Sequence, residues 1–140
     1  MIGLAETGSG KTAAYCIPII QNLLQNPSPF YALILAPTRE LVIQISQHLN
    51  ALGSSIGLKT VTLVGGLNDV EQAIQISKNP HISNISLKLV IGSPGRVVYH
   101  LTSTKGFSLR NIKYLVFDEA DKILNTKNDN NGLLPFFVLR

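Results

Sequence analysis

Residues 5–12, AETGSGKT, constrain this chain more than any other stretch. They place two glycines, a serine, a lysine and a threonine close together, directly after the apolar stretch MIGL. The spacing fits a P-loop in which Ala5 stands in place of the first glycine. A P-loop turns backbone amides inward around an anion, and Gly8 and Gly10 permit the required backbone angles and close approach. The alternative is an ordinary glycine-rich turn with a solvated lysine.

In a P-loop, Lys11 reaches the β- and γ-phosphates and the Thr12 hydroxyl binds Mg²⁺. The helix that follows points its positive end at the phosphates. Pro18 predicts a kink or a lost backbone hydrogen bond in that helix. Its predicted buried face consists of Ala13, Ile17, Ile20 and Leu24.

A P-loop also requires an acidic residue at the end of another buried strand to hold Mg²⁺. The stretch YLVFDEAD supplies it, because Asp118 follows four apolar residues. We predict that Asp118 binds Mg²⁺ directly or through water, and that Glu119 orients and activates the attacking water. An acidic cluster without a P-loop is more often a solvated strand end. The presence of both a P-loop sequence and an acidic residue after a buried strand therefore favours a nucleotide site over a simple turn.

Apolar, strand-like runs alternate with helix-like segments along the chain, which predicts an α/β fold with a parallel sheet. Asn68 is a predicted helix cap, with Val70, Ala73 and Ile74 on one buried face. Ser93 is a second predicted cap. The clusters AETGSGKT, PTRE, VGG, SPGR and DEAD each fall where a strand meets the next segment. Because function collects at the carboxyl ends of parallel strands, the clusters predict one functional edge.

Composition excludes several classes of protein. The length of 140 residues suits one domain, and 45% hydrophobic with 14% charged residues excludes a disordered chain. A net charge of +4 permits an anionic partner without requiring one. Cys16 is the only cysteine, which excludes an internal disulfide and a cysteine-based zinc site and favours a reducing compartment. The three histidines share no metal-ligand spacing, and no apolar run approaches the roughly 18 residues of a membrane span.

In their order, AETGSGKT, PTREL, GG, SPGR and DEAD resemble the first RecA-like domain of a DEAD-box ATP-dependent RNA helicase. As a set these motifs are highly specific, although each one except the first is weak alone. The resemblance implies a three-layer RecA-like P-loop NTPase domain with a mainly parallel sheet, truncated at both ends. Residues 1–124 would form a partial helicase ATP-binding domain, and residues 125–140 a divergent C-terminal tail.

The resemblance assigns roles to individual positions. ATP and Mg²⁺ would be the cofactors, and ATP would contact Ala5, Glu6, Thr7, Gly8, Ser9, Gly10, Lys11 and Thr12. Lys11, Asp118 and Glu119 would be catalytic, Thr12 and Asp118 would hold the metal, and Asp121 would couple the ATP site to the rest of the motor. RNA would be bound without regard to sequence by Pro37, Thr38, Arg39, Gly65, Gly66, Ser93, Pro94, Gly95 and Arg96. Two simpler interpretations remain: Arg39 could pair with Glu40 or a neighbour, and Gly65 and Gly66 could be a plain turn.

Some details depart from the family or point to one branch of it. Ser93 replaces the usual threonine and keeps the hydroxyl, and KNPHISNISLK is longer than the usual link. Residues 100–124 look most like the branch that processes ribosomal RNA, which implies an intracellular, nuclear or nucleolar protein with no membrane partner.

Several family features are missing from this chain: the adenine-reading glutamine motif, the Ser-Ala-Thr motif and the second RecA-like domain, which supplies arginine fingers. We therefore expect a domain that acts within a longer protein and has negligible turnover alone. The alternatives are a P-loop NTPase of another class, such as a small kinase, and a non-catalytic remnant that binds nucleotide or RNA. The final stretch LLPFFVLR could fill the central strand position that the Ser-Ala-Thr segment usually occupies, or it could be a disordered tail.

Overall fold

The computed structural model describes residues 10–77 and 87–124. The elements, in chain order, are α1 (Lys11–Gln25), β1 (Ala32–Leu35), α2 (Arg39–Gly53), β2 (Lys59–Leu63), α3 (Asp69–Ser77), β3 (Lys88–Gly92), α4 (Pro94–Ser103), β4 (Tyr114–Phe117) and α5 (Ala120–Leu124). A short 3-10 turn, Ser54–Ile56, follows α2.

The described strands form one parallel sheet in the order β2-β3-β1-β4. In register, Leu33 of β1 lies between Val90 of β3 and Leu115 of β4. Every residue of β1 and β3 is buried, as the apolar sequences of these strands predict for a sheet covered on both faces. The predicted α/β fold with a parallel sheet is confirmed.

Helices cover both faces of the sheet and give a three-layer structure. Successive residues of a strand point to opposite faces, so Ile34 packs in one hydrophobic cluster and Leu33 in the other. The helices α1 and α2 complete the first cluster with Cys16, Ile19, Ile20, Leu23, Val42, Ile45 and Leu49. Ile76 of α3 and Val97 of α4 join the second.

The predicted face of α1 is wrong in part. Ile20 is buried, as predicted, but Ile17 and Leu24 are both 46% exposed, and Ile19 and Leu23 are buried instead. Apolar residues occupy adjacent positions in this helix, so its spacing fits two stripes, and packing against the sheet selects one. Pro18 lies inside α1 without ending it.

The predicted buried face of α3 is also wrong. Val70 is 65% exposed and Ile74 is 44% exposed, while Gln72 and Ile76 are buried. The helix turns the Gln72 amide inward together with Ile76, because Gln72 finds backbone partners there. The predicted cap is confirmed: the Asn68 side-chain oxygen accepts a hydrogen bond from the Val70 amide at 2.9 Å.

Within the described parts of the chain, every helix is too short or too polar to cross a membrane. The tail proposed for the central strand position lies outside the described residues.

Candidate functional site

The carboxyl ends of the four strands lie at one edge of the sheet, as the parallel pairing requires. The predicted functional residues come within two positions of the strand ends: Pro37 follows β1, Gly65 follows β2, Ser93 follows β3 and Asp118 follows β4. Among the described residues, these four positions therefore lie at one edge of the sheet. Ala5, Glu6, Thr7, Gly8 and Ser9 lie outside those residues.

Gly10 opens α1 in a left-handed conformation, with φ of 84°. An added Cβ would meet nothing within 4 Å, so the backbone angle, rather than lack of space, requires glycine here. Lys11 and Thr12 occupy the first turn, and no side chain among the described residues caps this helix. The positive end of the helix dipole therefore suits an anion at this position.

Asp118 is held by three hydrogen bonds. Its amide donates to the Leu35 carbonyl at 2.9 Å, which continues the ladder between β4 and β1. Its Oδ2 accepts a hydrogen bond from the Tyr15 hydroxyl at 2.9 Å, and its Oδ1 accepts one from the Glu119 amide at 3.0 Å. Both carboxylate oxygens are thus oriented at the end of the strand.

Tyr15 joins α1 to the predicted magnesium ligand Asp118. Burial, and next the Asp118 carboxylate, raise the pKa of the Tyr15 hydroxyl far above its ordinary value. The hydroxyl therefore stays protonated and donates to Asp118. Sequence reasoning missed Tyr15, although its place three residues after Thr12 puts it on the same helical face.

Cys16 is fully buried behind this site. Burial, and next the charge of Asp118, raise the pKa of its thiol to about 12. The thiol is therefore protonated at neutral pH and packs as a small apolar group rather than as a ligand or nucleophile.

Glu119 adopts a left-handed backbone conformation, with φ of 50°. Such a conformation costs a non-glycine residue roughly 1–3 kcal/mol and is concentrated at functional sites. Its Oε2 accepts a hydrogen bond from Lys122 Nζ at 2.9 Å, which holds the pKa of Lys122 above its ordinary value. Asp121, the predicted coupling residue, is exposed in the first turn of α5.

The described oxygen donors suit magnesium. The Thr12 hydroxyl and the Asp118 carboxylate are hard ligands, and Mg²⁺ commonly takes one or two protein ligands together with water and phosphate oxygens. Within residues 10–77 and 87–124, no three histidine, cysteine or acidic side chains gather into a metal cage. The arrangement therefore fits a metal that is shared with a phosphate ligand.

The second cluster joins the end of β1 to the end of β2. Thr38 caps α2, because its hydroxyl accepts a hydrogen bond from the Leu41 amide at 3.3 Å. Arg39 Nη1 donates to the Gly65 carbonyl at 3.3 Å, and this contact replaces the alternative pair with Glu40. Gly66 has a φ of 73°, and a Cβ there would lie 2.7 Å from Arg39 Nη1. Gly65 and Gly66 therefore form a turn whose backbone contacts the Arg39 side chain.

Gln72 holds this turn in place through hydrogen bonds to the residue before it. The sequence analysis did not identify Gln72. Its side chain is buried, accepts a hydrogen bond from the Val64 amide at 3.0 Å and donates to the Val64 carbonyl at 3.1 Å. These two hydrogen bonds, here called the Gln72 clamp, fix the backbone immediately before Gly65.

The SPGR cluster begins α4 at the end of β3. Ser93 stands at the cap position with Pro94 next, as predicted, but the Ser93 side chain makes no capping hydrogen bond. Its amide instead donates to the Leu63 carbonyl at 3.0 Å, while Gly95 is exposed. The backbone of this cluster is thus tied to β2 rather than capped by its own hydroxyl.

Arg96 is engaged within the protein. Its Nη2 forms an ion pair with Asp69 of α3, and its guanidinium carbon lies 4.5 Å from the centre of the Tyr99 ring. Its Nε is buried and has no hydrogen-bond partner among the described residues. The structure therefore places Arg96 at the predicted edge but directs its guanidinium toward α3.

Comparison with known proteins identifies similar sequences. The family model described as DEAD/DEAH box helicase matches residues 1–132. The ATP-dependent rRNA helicase rrp3 of Schizosaccharomyces pombe is 54% identical over 125 residues, covering 89% of this chain and 25% of that protein. The corresponding protein of Phaeosphaeria nodorum is 58% identical, covering 89% of this chain and 22% of the relative. The chain thus spans about a quarter of these relatives, 25% and 22% respectively.

Solved structures share the fold. The yeast DEAD-box splicing factor Prp28 superposes with a TM-score of 0.74 at 32% identity, covering 87% of this chain and 28% of that one. Prp28 of Chaetomium thermophilum, bound to ADP, gives a TM-score of 0.75 at 30% identity, covering 99% and 32% of the two chains. A DEAD box protein of Methanococcus jannaschii gives 0.69 at 35% identity, covering 86% and 31%. The expectation of a RecA-like fold is confirmed by these neighbours.

Proposed function

Because this chain belongs to the DEAD/DEAH box helicase family, we propose that it binds Mg-ATP between the start of α1 and the end of β4, as the ATP-binding domain of an RNA helicase. One observation carries the proposal: Tyr15 and Asp118, which are 103 positions apart in sequence, meet by a hydrogen bond at the functional edge. The family membership excludes the alternative of a P-loop NTPase of another class. The Prp28 neighbour is bound to ADP, which supports an adenine nucleotide as the ligand of this chain.

The proposed roles follow from position. Residues 5–10 would surround the phosphates with amides, and Lys11 would neutralise phosphate charge beside the N-terminus of α1. Thr12 and Asp118 would hold Mg²⁺, which supplies charge stabilisation at the phosphate oxygens when bound. Glu119 would accept a hydrogen bond from the attacking water. Asp121 would couple this site to a second RecA-like domain.

Calorimetry of the 140-residue chain with ADP tests the nucleotide site. We expect tighter binding in Mg²⁺ than in EDTA, and we expect Asp118→Asn to remove most of that difference. Loss of a charged contact costs about 1.5–3 kcal/mol, which corresponds to roughly a 10- to 100-fold change. Asp121→Asn is the matched control and should keep the magnesium effect. ADP binding that is insensitive to Mg²⁺ in the parent chain would count against the proposal.

A second surface, the RNA track, would run along the same edge from Pro37 through Gly65 and Gly66 to Ser93 and Arg96. Its described groups are exposed or partly exposed hydroxyls, backbone amides and a guanidinium, and such groups recognise sugar and phosphate rather than base sequence. Because relatives are named ATP-dependent rRNA helicases, we propose ribosomal RNA as the substrate and the nucleolus as the location. Negligible ATP turnover by the 140-residue chain alone stays a prediction.

The ion pair of Asp69 with Arg96 gives this surface a test. Asp69→Asn should raise the affinity for single-stranded RNA about 2- to 5-fold, since an exposed pair contributes roughly 0.2–1 kcal/mol and its loss releases Arg96 toward phosphate. Fluorescence anisotropy at one fixed salt concentration measures the change.

Glu71→Gln is the matched control, because it removes the same charge from the first turn of α3. An equal gain in RNA affinity with both variants would mean that the gain comes from net charge and not from the release of Arg96. A loss of affinity with Asp69→Asn would show that the pair positions Arg96 for RNA rather than withholding it.

A further inference from the structure

We infer that Tyr15 is a positioning residue of the nucleotide site, whose hydroxyl fixes the Asp118 carboxylate in the orientation that receives Mg²⁺. The inference rests on the proposed function, because it concerns the same metal. None of the sequence motifs includes Tyr15, which lies three residues beyond the end of AETGSGKT.

The hydrogen bonds of Asp118 leave it able to bind a metal. A carboxylate offers about four lone-pair positions. The Tyr15 hydroxyl uses one on Oδ2, and the Glu119 amide uses one on Oδ1. One position remains on each oxygen, while rotation of the carboxylate would break both bonds. The two donors therefore orient the Asp118 carboxylate without occupying all of its lone-pair positions.

The donor itself is held in place by packing. The Tyr15 ring is partly buried against the hydrophobic cluster that contains Cys16 and Ile19, and Val116 of β4 packs against the same cluster. Its position is thus set by the junction of α1 with the sheet. A hydroxyl donor fixed in this way is suited to orienting an anionic ligand.

Tyr15 follows Thr12, the other predicted magnesium ligand, by three positions on α1 and lies on the same face of that helix. The hydrogen bond from Tyr15 to Asp118 therefore links the helix that carries Thr12 to the end of β4. A purely structural tie would affect folding and nucleotide affinity with or without metal. A positioning role would change the metal dependence specifically.

Tyr15→Phe separates these roles, because phenylalanine keeps the packed ring and deletes only the hydroxyl. The affinity of the 140-residue chain for ADP is measured by calorimetry at a series of MgCl₂ concentrations. The MgCl₂ concentration at the midpoint of the gain in affinity is then compared between variants. We expect the midpoint in MgCl₂ to rise about 10-fold or more, since partners of metal ligands typically contribute 10- to 100-fold in metal affinity. ADP affinity in EDTA should stay unchanged. Thermal unfolding of each variant checks that the fold is preserved.

Tyr31→Phe is the matched control, because Tyr31 is a buried tyrosine at the opposite edge of the sheet. It should leave the MgCl₂ midpoint unchanged. An unchanged or lower midpoint in Tyr15→Phe would overturn the inference while leaving the nucleotide site intact. Equal losses of ADP affinity in Mg²⁺ and in EDTA would mean that Tyr15 has only a structural role. Absence of magnesium-dependent binding in the parent chain would refute the proposed function and the inference together.

Discussion

Lys11→Ala weakens the binding of Mg-ADP about tenfold or more. Lys11 is the first residue of α1, directly after the left-handed Gly10, so its charge lies at the end of the helix that favours anions. A charge-assisted hydrogen bond to phosphate contributes roughly 1.5–3 kcal/mol, and truncation to alanine removes it. Calorimetry under matched ionic conditions measures the loss.

Lys113→Ala is the control for this loss. It removes the same charge from an exposed residue at the amino-terminal side of β4, on the opposite edge of the sheet. The control should bind Mg-ADP as the parent does. Equal affinity of Lys11→Ala and the parent chain would place the phosphates elsewhere.

Gln72→Met destabilises the folded domain by about 2–4 kcal/mol. Methionine fills a similar volume but leaves the buried Val64 amide and carbonyl without the side-chain partner that both have now. Each buried polar group left unsatisfied costs roughly 1–3 kcal/mol, against a total stability of about 5–15 kcal/mol. Denaturant unfolding measures the change in the free energy of unfolding.

The same substitution should also weaken RNA binding, because the clamp fixes the turn that contains Gly65 and Gly66. Gln75→Met is the matched control, since Gln75 lies on the same helix and is exposed. A variant with unchanged stability would mean that water replaces the amide at Val64. In that event Gln72 would not determine the shape of the turn.

The strands and the functional edge could be predicted from sequence because their signals are local. β1 and β3 are continuous apolar runs, and polar clusters follow the strand ends in chain order. Parallel pairing then brings these clusters to one edge whatever the packing of the helices. For this reason the sequence alone predicts that Pro37, Gly65, Ser93 and Asp118 share one edge of the sheet.

The helix faces could not be predicted because tertiary partners decide them. In α3 the pattern placed Val70 and Ile74 inside, but Gln72 is buried, because its side chain bonds to the backbone of the segment that follows β2. Similarly, the charge of Arg96 indicated a phosphate contact, whereas its partner Asp69 becomes a neighbour only when α3 and α4 pack together. The hydrogen bond between Tyr15 and Asp118 depends on the same kind of long-range approach.

Amide chemical shifts of the isotopically labelled chain locate the nucleotide most directly. On addition of Mg-ADP, we predict the largest shifts at Gly10, Lys11 and Thr12 of the α1 start and at Asp118 and Glu119 of the β4 end. The residues at the opposite edge, Tyr31 and Lys113, should shift little and serve as internal references. Saturable shifts concentrated at Tyr31 and Lys113, with the α1 start and Asp118 unmoved, would contradict a nucleotide site at the carboxyl edge of the sheet.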